Sequence, residues 1–348
     1  MPHAVRELVI GTRGSTLAVW QAEWVQTQLR GLEPGLNVSV KRIKTTGDQI
    51  LDTPLAMIGG KGLFVKEIEE ALGRGEIDLA IHSMKDVPTQ LPAGMEILCI
   101  PLREDPADVL ISREGRSLDR LAPGARIGTS SLRRQAQVLN YRPDLKIAML
   151  RGNLDTRLRK LDEGQYDAII LAAAGLRRLG LDERVTERLP YEVCLPAISQ
   201  GALGLEGRAD DAFVRELVSR LEDRATRIAV SAERAFLERL EGGCQVPIAA
   251  HALIEHERLT LRGLVASVDG ARLVRDSITG PSVEAARLGG ELADRLLSQG
   301  GREILKEIYE TSFPSPLKWE GEGGGATASA ESPSPCPSPT RGEGGRGV

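Results

Sequence analysis

A chain of 348 residues is longer than one hydrophobic core sustains, because single cores stop growing near about 250–300 residues, so two or three domains are expected. Apolar residues make up 41% and charged residues 27%, and no apolar run approaches the roughly 18 residues of a spanning helix, which excludes a helical membrane protein. The net charge of −4 argues against a general nucleic-acid binder, which carries a basic domain, so any recognition of anions has to be local.

In chain order, Met1 to Glu7 pass directly into apolar Leu8-Val9-Ile10, which leaves no room for a secretory signal and makes a cytoplasmic protein the expectation. That strand runs into Gly11-Thr12-Arg13-Gly14-Ser15, after which Leu17, Trp20, Trp24, Val25 and Leu29 recur at helical spacing up to Gly31. Gly59-Gly60-Lys61-Gly62-Leu63-Phe64 is a glycine-rich loop before an acidic helix from Val65 to Leu72. It lacks the spacing of a Walker loop. Lys61 and Phe64 offer a charge and an aromatic face there, and a plain flexible connection fits equally well.

Ile77-Asp78-Leu79-Ala80-Ile81 and Asp167-Ala168-Ile169-Ile170-Leu171-Ala172 are short apolar runs of the kind that form buried parallel strands. Between them, Ala125-Arg126-Ile127 leads into Gly128-Thr129-Ser130-Ser131 and a helical stretch from Leu132 to Leu139. Ile10-Gly11-Thr12 and Ile127-Gly128-Thr129 open their turns identically. Two related, doubly wound α/β domains follow from this repeat, each starting a helix at a hydroxyl-rich turn whose free backbone N–H groups suit an anion. From about Asp223 the texture changes to a helix (Arg224 to Leu240), an alternating strand (Leu259, Leu261, Gly263, Val265) and a helix from Val283 to Gln299. That is a small α+β domain with its own core. From Phe313 onward Pro, Ser, Gly and Glu dominate, too little apolar surface to offset ordering entropy, so disorder is expected. Residues 314–323 and 335–344 resemble each other; an extension carrying a repeated element and a linear docking motif both fit.

The candidate chemistry sits after the strands, where open α/β sheets place ligands. Arg13, Arg133-Arg134, Arg151, Arg157, Arg159 and Arg177-Arg178 suit carboxylate recognition because the planar guanidinium keeps its charge at any working pH; singly, each is equally at home in a surface ion pair. His82-Ser83-Met84-Lys85-Asp86-Val87-Pro88 places Lys85 to pair with a carboxylate and Asp86 to stabilise a cation or move a proton, or else is a solvated turn. The cysteines Cys99, Cys194, Cys244 and Cys336 form no metal-ligand or disulfide pattern. Cys244 stands in the loop Glu241-Gly242-Gly243-Cys244-Gln245-Val246-Pro247, where an accessible thiolate can act as a nucleophile.

Taken together these segments resemble the hydroxymethylbilane synthase (porphobilinogen deaminase) family from about residue 6 to residue 310. The stretches that carry the resemblance are Thr12-Arg13-Gly14-Ser15, residues 59–67, His82 to Pro88, Gly128 to Gln135, Arg151-Gly152-Asn153 and Glu241 to Pro247. The resemblance implies two domains like type II periplasmic binding proteins, residues 1–101 with 202–219 and residues 102–201. It also implies a third, cofactor-bearing α+β domain, residues 220–312, ahead of the tail at 313–348. It further implies a dipyrromethane held by a thioether on Cys244, no metal, and a monomer whose small-molecule partner is porphobilinogen. Each cycle would deaminate porphobilinogen to an azafulvene cation that the growing chain attacks, and four additions followed by hydrolysis would release hydroxymethylbilane.

By the same resemblance Asp86 is the catalytic residue. Ser83, Lys85, Thr129, Ser130, Ser131, Arg133 and Arg134 match cofactor-binding positions. Arg13, Ser15, Lys61, Phe64, Arg151, Arg157, Arg178 and Gln200 match substrate-binding positions. Thr16 stands where proline is common and Gly207 where cysteine is frequent. A non-catalytic binder of a carboxylated ligand is the rival reading of the same lobes, and Cys244 discriminates, because a simple binder needs no such thiol. A phosphoryl-transfer enzyme lacks its Walker spacing and magnesium carboxylates.

One expectation needs no structure to test. Deleting residues 313–348 should leave both the melting temperature and the turnover of the protein nearly unchanged; thermal denaturation and a product assay on the truncated chain measure both, and a large loss in either shows an integrated tail.

Overall fold

The computed structural model describes residues 7–49, 65–241 and 246–312. Lys61, Phe64, Cys244 and the tail from 313 lie outside the described residues. The chain opens with β1 (Glu7–Thr12), α1 (Thr16–Leu32), β2 (Asn37–Arg42), the short α2 (Thr46–Gln49), α3 (Lys66–Gly73), β3 (Leu79–Ser83) and β4 (Met95–Cys99). It then crosses into a second lobe of β5 (Asp108–Ser112), β6 (Arg126–Gly128), α4 (Leu132–Tyr141), β7 (Lys146–Ala148), α5 (Leu154–Asp162), β8 (Ala168–Ala172), α6 (Ala173–Arg178) and β9 (Glu187–Arg188). It returns to the first lobe as β10 (Leu203–Arg208) and α7 (Ala212–Ser219).

The two sheets have orders β2-β1-β3-β10-β4 and β7-β6-β8-β5-β9. In each, four strands run the same way and the strand entering from a crossover runs against them, β10 between β3 and β4 and β5 between β8 and β9. The apolar runs at β3 and β8 are therefore buried as expected, but in mixed sheets: β10 and β5 enter from the other lobe and run the opposite way. Each sheet buries apolar clusters on both faces, one under α1 and α7 and another under α3 in the first lobe, and a corresponding pair in the second. These are two doubly wound α/β domains.

The repeated Ile-Gly-Thr has a shared physical cause. Ile10 and Ile127 are fully buried, and a Cβ on Gly11 would lie 2.3 Å from Ile77 Cδ1 while one on Gly128 would lie 2.9 Å from the Tyr166 ring. Only glycine lets the strand end come that close. The helix starts are capped by side chains, Ser15 accepting from Ala18 N and Ser131 from Arg134 N, which explains why both helices were legible from a hydroxyl before an apolar period.

The third domain packs α8 (Arg224–Arg239) and α9 (Ala285–Leu296) on an antiparallel sheet of β11 (Ile248–Glu255), β12 (Arg258–Ala266) and β13 (Leu273–Pro281). The expected helix from Val283 to Gln299 is observed as a 3-10 turn (Ser282–Glu284), α9 and a closing π turn (Leu297–Gly301), and Gly300 at φ +105° ends it. A further helix, α10 (Arg302–Ser312), follows and seats Ile304, Leu305 and Ile308 in the same core.

The two crossovers lie side by side. Arg103 Nε donates to Gln200 O at 2.7 Å and Gln200 Nε2 to Pro106 O at 2.7 Å. Gly201, at φ +88°, passes so close to Glu104 that a Cβ would sit 2.3 Å from its carbonyl oxygen. Glu233 of α8, fully buried, accepts from Arg103 Nη1 and Nη2 (2.7 and 3.1 Å), Ser199 N (2.6 Å) and Ala252 N (2.8 Å). Glu233→Ala should destabilise the protein by about 3–5 kcal/mol, because it strands a buried guanidinium. Removing the exposed Arg287–Glu284 pair should change stability by less than about 1 kcal/mol; denaturant melts of the two variants test the contrast.

Candidate active site

The ends of β1, β3, β6 and β8 and the turn after β7 face one cavity of about 870 Å³ between the lobes. Seven basic side chains line it, Arg13, Lys44, Lys85, Arg134, Arg151, Arg157 and Arg178, against the carboxylates of Asp86 and Asp155. Ser15, Ser83, Ser130 and Gln200 line the same space. The sequence-predicted residues thus converge from two lobes and a crossover, and three do not reach the cavity wall: Arg133, Thr129 and Ser131.

The turn that carries Lys85 and Asp86 is a single 3-10 turn, Met84–Asp86. Its middle is nailed down from below: Met84 is buried and its N–H donates to Ala202 O. From behind, Arg234 of α8 donates to the carbonyls of Val87 (3.0 Å) and Pro88 (2.5 Å). Lys85 Nζ reaches Gln200 Oε1 at 3.4 Å, and burial pulls its pKa down to about 8, with Asp86 opposing. Gln200 Nε2 in turn donates to Asp108 Oδ1 at 2.9 Å.

Asp108 explains the Arg133-Arg134 pair. Burial alone would raise its carboxyl, but the two guanidinium groups hold it well below the usual range. Arg133 Nη1 takes Oδ2 (2.6 Å) and Leu195 O (2.6 Å), so it stands behind the cavity wall as an internal ion pair rather than facing a ligand. Arg134 takes Oδ1 through Nε and Nη2 (3.0 and 2.7 Å) and still lines the cavity. Thr129 Oγ1 accepts from Ser131 N at 3.1 Å, and Ser131 caps α4. These two hydroxyls shape the turn and leave Ser130 at the surface of the site.

The opposite wall is less satisfied. Arg157 Nε donates to Gly152 O and Arg178 Nη2 to Gly201 O, at 2.8 and 2.7 Å. Burial lowers both to about 10, and the neighbouring Arg134 and Arg151 charges add to the effect at Arg157. Burial also lowers Arg151. Among the described residues no carboxylate forms an ion pair with Arg151 or Arg157, although the charge of Asp86 partly opposes the lowering at Arg157. Partly dehydrated guanidinium groups with donors to spare fit a ligand that brings several carboxylates. Arg159 and Arg177, by contrast, sit in exposed ion pairs with Glu163 and Glu104.

Several wall residues escaped sequence reasoning. Gln21 is buried on α1 and donates to Ser83 Oγ at 3.1 Å; a polar residue on an apolar face was the available signal. Lys44 follows β2 with no motif around it. Thr16, where proline is common in the resembled family, donates to Asp155 Oδ2 at 2.9 Å and so ties α1 of one lobe to α5 of the other. Among the described residues no cluster of His, Cys, Asp and Glu could hold a metal ion and no helix is long and apolar enough to cross a membrane.

Residues 8–243 match the family model "Porphobilinogen deaminase, dipyromethane cofactor binding domain", and residues 227–298 match "Porphobilinogen deaminase, C-terminal domain". The porphobilinogen deaminase of Pelobacter propionicus is 58% identical over 305 residues, covering 88% of this chain and 98% of that protein. That of Geobacter sulfurreducens is 58% identical over 307 residues, covering 88% and 96%, and that of Syntrophotalea carbinolica 58% over 310 residues, covering 89% and 98%. Solved structures at much lower identity also align in part, such as the alkanesulfonate-binding protein SsuA from Xanthomonas axonopodis pv. citri, 16% identical, covering 67% of this chain and 74% of that one at a TM-score of 0.35. Matched from residue 8 to residue 298, through all three sheets, the chain belongs to the porphobilinogen deaminase family.

Proposed function

We propose that the chain joins four porphobilinogen molecules head to tail, with loss of ammonia, on a covalently held dipyrromethane, and releases hydroxymethylbilane for tetrapyrrole synthesis. The observation that carries the reading is the single cavity in which Asp86 faces seven basic side chains. Each porphobilinogen brings an acetate and a propionate, so a growing chain needs many fixed cations and one anion placed for the reacting pyrrole. A carboxylate binder would need the cations but not Asp86, and family membership does not favour it.

The dipyrromethane, when bound, supplies the free α-carbon to which each new unit is joined. The donor set suits it: Lys85, Arg134 and the hydroxyls of Ser83 and Ser130 line the same cavity as Asp86, and we assign its thioether to Cys244. Arg13, Ser15, Arg151, Arg157, Arg178 and Gln200 are assigned to substrate carboxylates, with Lys61 and Phe64 assigned by family resemblance. Arg133, Thr129 and Ser131 act through Asp108 and the α4 cap rather than on a ligand. Asp86 accepts pyrrole N–H groups and stabilises the positive charge that develops on the substrate pyrrole as ammonia departs. Its worth comes from being fixed beforehand: Met84 and Arg234 hold the turn, so little reorganisation is needed when charge appears. We take a cytoplasmic monomer as the acting form.

Arg151→Leu should lower kcat/KM for porphobilinogen by about tenfold to a hundredfold while moving stability by less than about 1 kcal/mol, because it removes a charge-assisted bond and no internal partner. Normal turnover in this variant removes Arg151 from the site.

Cys244 and Asp86 are assigned separable jobs. Cys244→Ser should purify without the mass of a dipyrromethane and make no product. Asp86→Asn should carry that mass when the dipyrromethane is supplied preassembled, yet turn over slower by about two to four orders of magnitude. Intact-mass spectrometry with a product assay reads both. Unmodified Cys244 in the active wild type, or near-normal turnover by Asp86→Asn, defeats the corresponding assignment.

A further inference from the structure

The cavity wall holds one carboxylate to which the proposed chemistry gives no task. Asp155, in the first turn of α5, lines the same space as the seven basic side chains. A carboxylate among groups that gather anionic ligands weakens their binding by like-charge repulsion, so its place there needs another reason. Its partner is a hydroxyl of the other lobe: Thr16 Oγ1 donates to Asp155 Oδ2 at 2.9 Å.

The bond joins the two short segments that bring cations from opposite lobes. Thr16 opens α1 directly after Ser15 and close after Arg13, and Asp155 stands between Arg151 and Arg157 in the chain. An apolar contact runs beside it. A Cβ on Gly175, in α6, would lie 3.6 Å from Leu17 Cδ2 and 3.3 Å from Leu154 Cδ1, so the neighbours of Thr16 and Asp155 meet over one glycine. Thr16, Leu17, Leu154, Asp155 and Gly175 all line the cavity, which makes this seam part of the ligand wall and separate from the covalent crossovers. The helix start itself does not call for a hydroxyl at Thr16. Ser15 already caps α1, with φ −70° and ψ 148°, an extended backbone that a following proline also favours, and the first helical N–H has no intrahelical partner to lose.

We propose that Thr16 and Asp155 are positioning residues that clamp the two lobes together, fixing Arg13 and Ser15 relative to Arg151 and Arg157 at the spacing one carboxylated substrate bridges. The inference rests on the assignment of those four residues to substrate carboxylates. Lys85 and Asp86 stand on a turn held separately by Ala202 O and Arg234. The clamp therefore governs capture of porphobilinogen more than the chemical step that follows.

The test uses the loaded full-length chain. Thr16→Val keeps the shape of the side chain and removes its donor, and Thr16→Pro removes the donor while suiting the helix start. Both should raise KM for porphobilinogen by about threefold to tenfold, the scale of one exposed hydrogen bond, and change kcat by less than about twofold. Thr16→Ser, which keeps the hydroxyl, should restore the wild-type KM. Asp155→Ala separates a clamp from plain electrostatics, because the two give opposite signs: losing a repelling charge alone lowers KM, whereas losing the clamp raises it. Adding Thr16→Val to Asp155→Ala should change KM no further, since the hydroxyl acts through that carboxylate.

A second readout crosses the lobes and does not depend on the substrate. Asp155→Ala, in the second lobe, should speed amide hydrogen exchange at Ala18 and Val19 in the first, whose N–H groups donate to Ser15 Oγ and O. Unchanged exchange at these two amides overturns the clamp. A lowered KM in Asp155→Ala, or a wild-type KM in Thr16→Pro, overturns the positioning role even where exchange quickens. If Arg151→Leu turns over normally, the substrate assignment fails, while the exchange arm still reports the clamp.

Discussion

The carboxylate of Glu233 is where the three domains meet. It sits with no solvent exposure on α8 and takes donors from Arg103 in one crossover, Ser199 N in the other and Ala252 N in β11. A buried charge is tolerable only when paired and fully hydrogen-bonded, so these four groups have to meet in one arrangement. The active cavity inherits it. Gln200, whose carbonyl is held by Arg103, passes the constraint to Lys85 on one side and Asp108 on the other.

From there the cations divide into two kinds. Arg133 and Arg134 are tied to Asp108, Leu195 O and Ile170 O, which makes that wall stiff, while Arg134 still lines the cavity. Arg151, Arg157 and Arg178 spend at most part of their donors on main-chain oxygens and stay available to carboxylates. The concentration of positive charge in a chain of net charge −4 is a local effect, achieved by keeping acidic partners away from one wall rather than by composition. Partial burial strengthens each cation's pull on a ligand, because water competes less there.

The third domain does more than carry a loop. Arg234 clamps the carbonyls after the turn that carries Lys85 and Asp86 in the first lobe. Its β12–β13 connection reaches the second lobe, where Asn140 and Gln135 of α4 donate to Gly270 O and Val268 O. Both the turn that carries Asp86 and the helix capped by Ser131 are thereby referenced to one body.

What the sequence determined by itself is short-range. The hydroxyl caps at Ser15 and Ser131, the helical periods that follow them, the buried apolar runs and the twofold Ile-Gly-Thr turn are set by neighbours a few residues apart, and they sufficed to read two related α/β lobes and a third α+β body. Position after a strand end also placed Asp86, Lys85 and most arginines at the strand ends that line the cavity. Other outcomes depended on partners far along the chain. The reversed strands β5 and β10 come from the crossovers, and Arg133 faces inward because Asp108, 25 residues away, claims it. Gln21 lies at the site because Ser83 is there to accept from it. No motif announced that His82 of β3 and Glu206 of β10 come within 2.9 Å; only sheet pairing brings them together. Local propensity acts over one turn or one strand, whereas the choice of which buried charge answers which is made by tertiary contact, and that choice decided the electrostatics of this site.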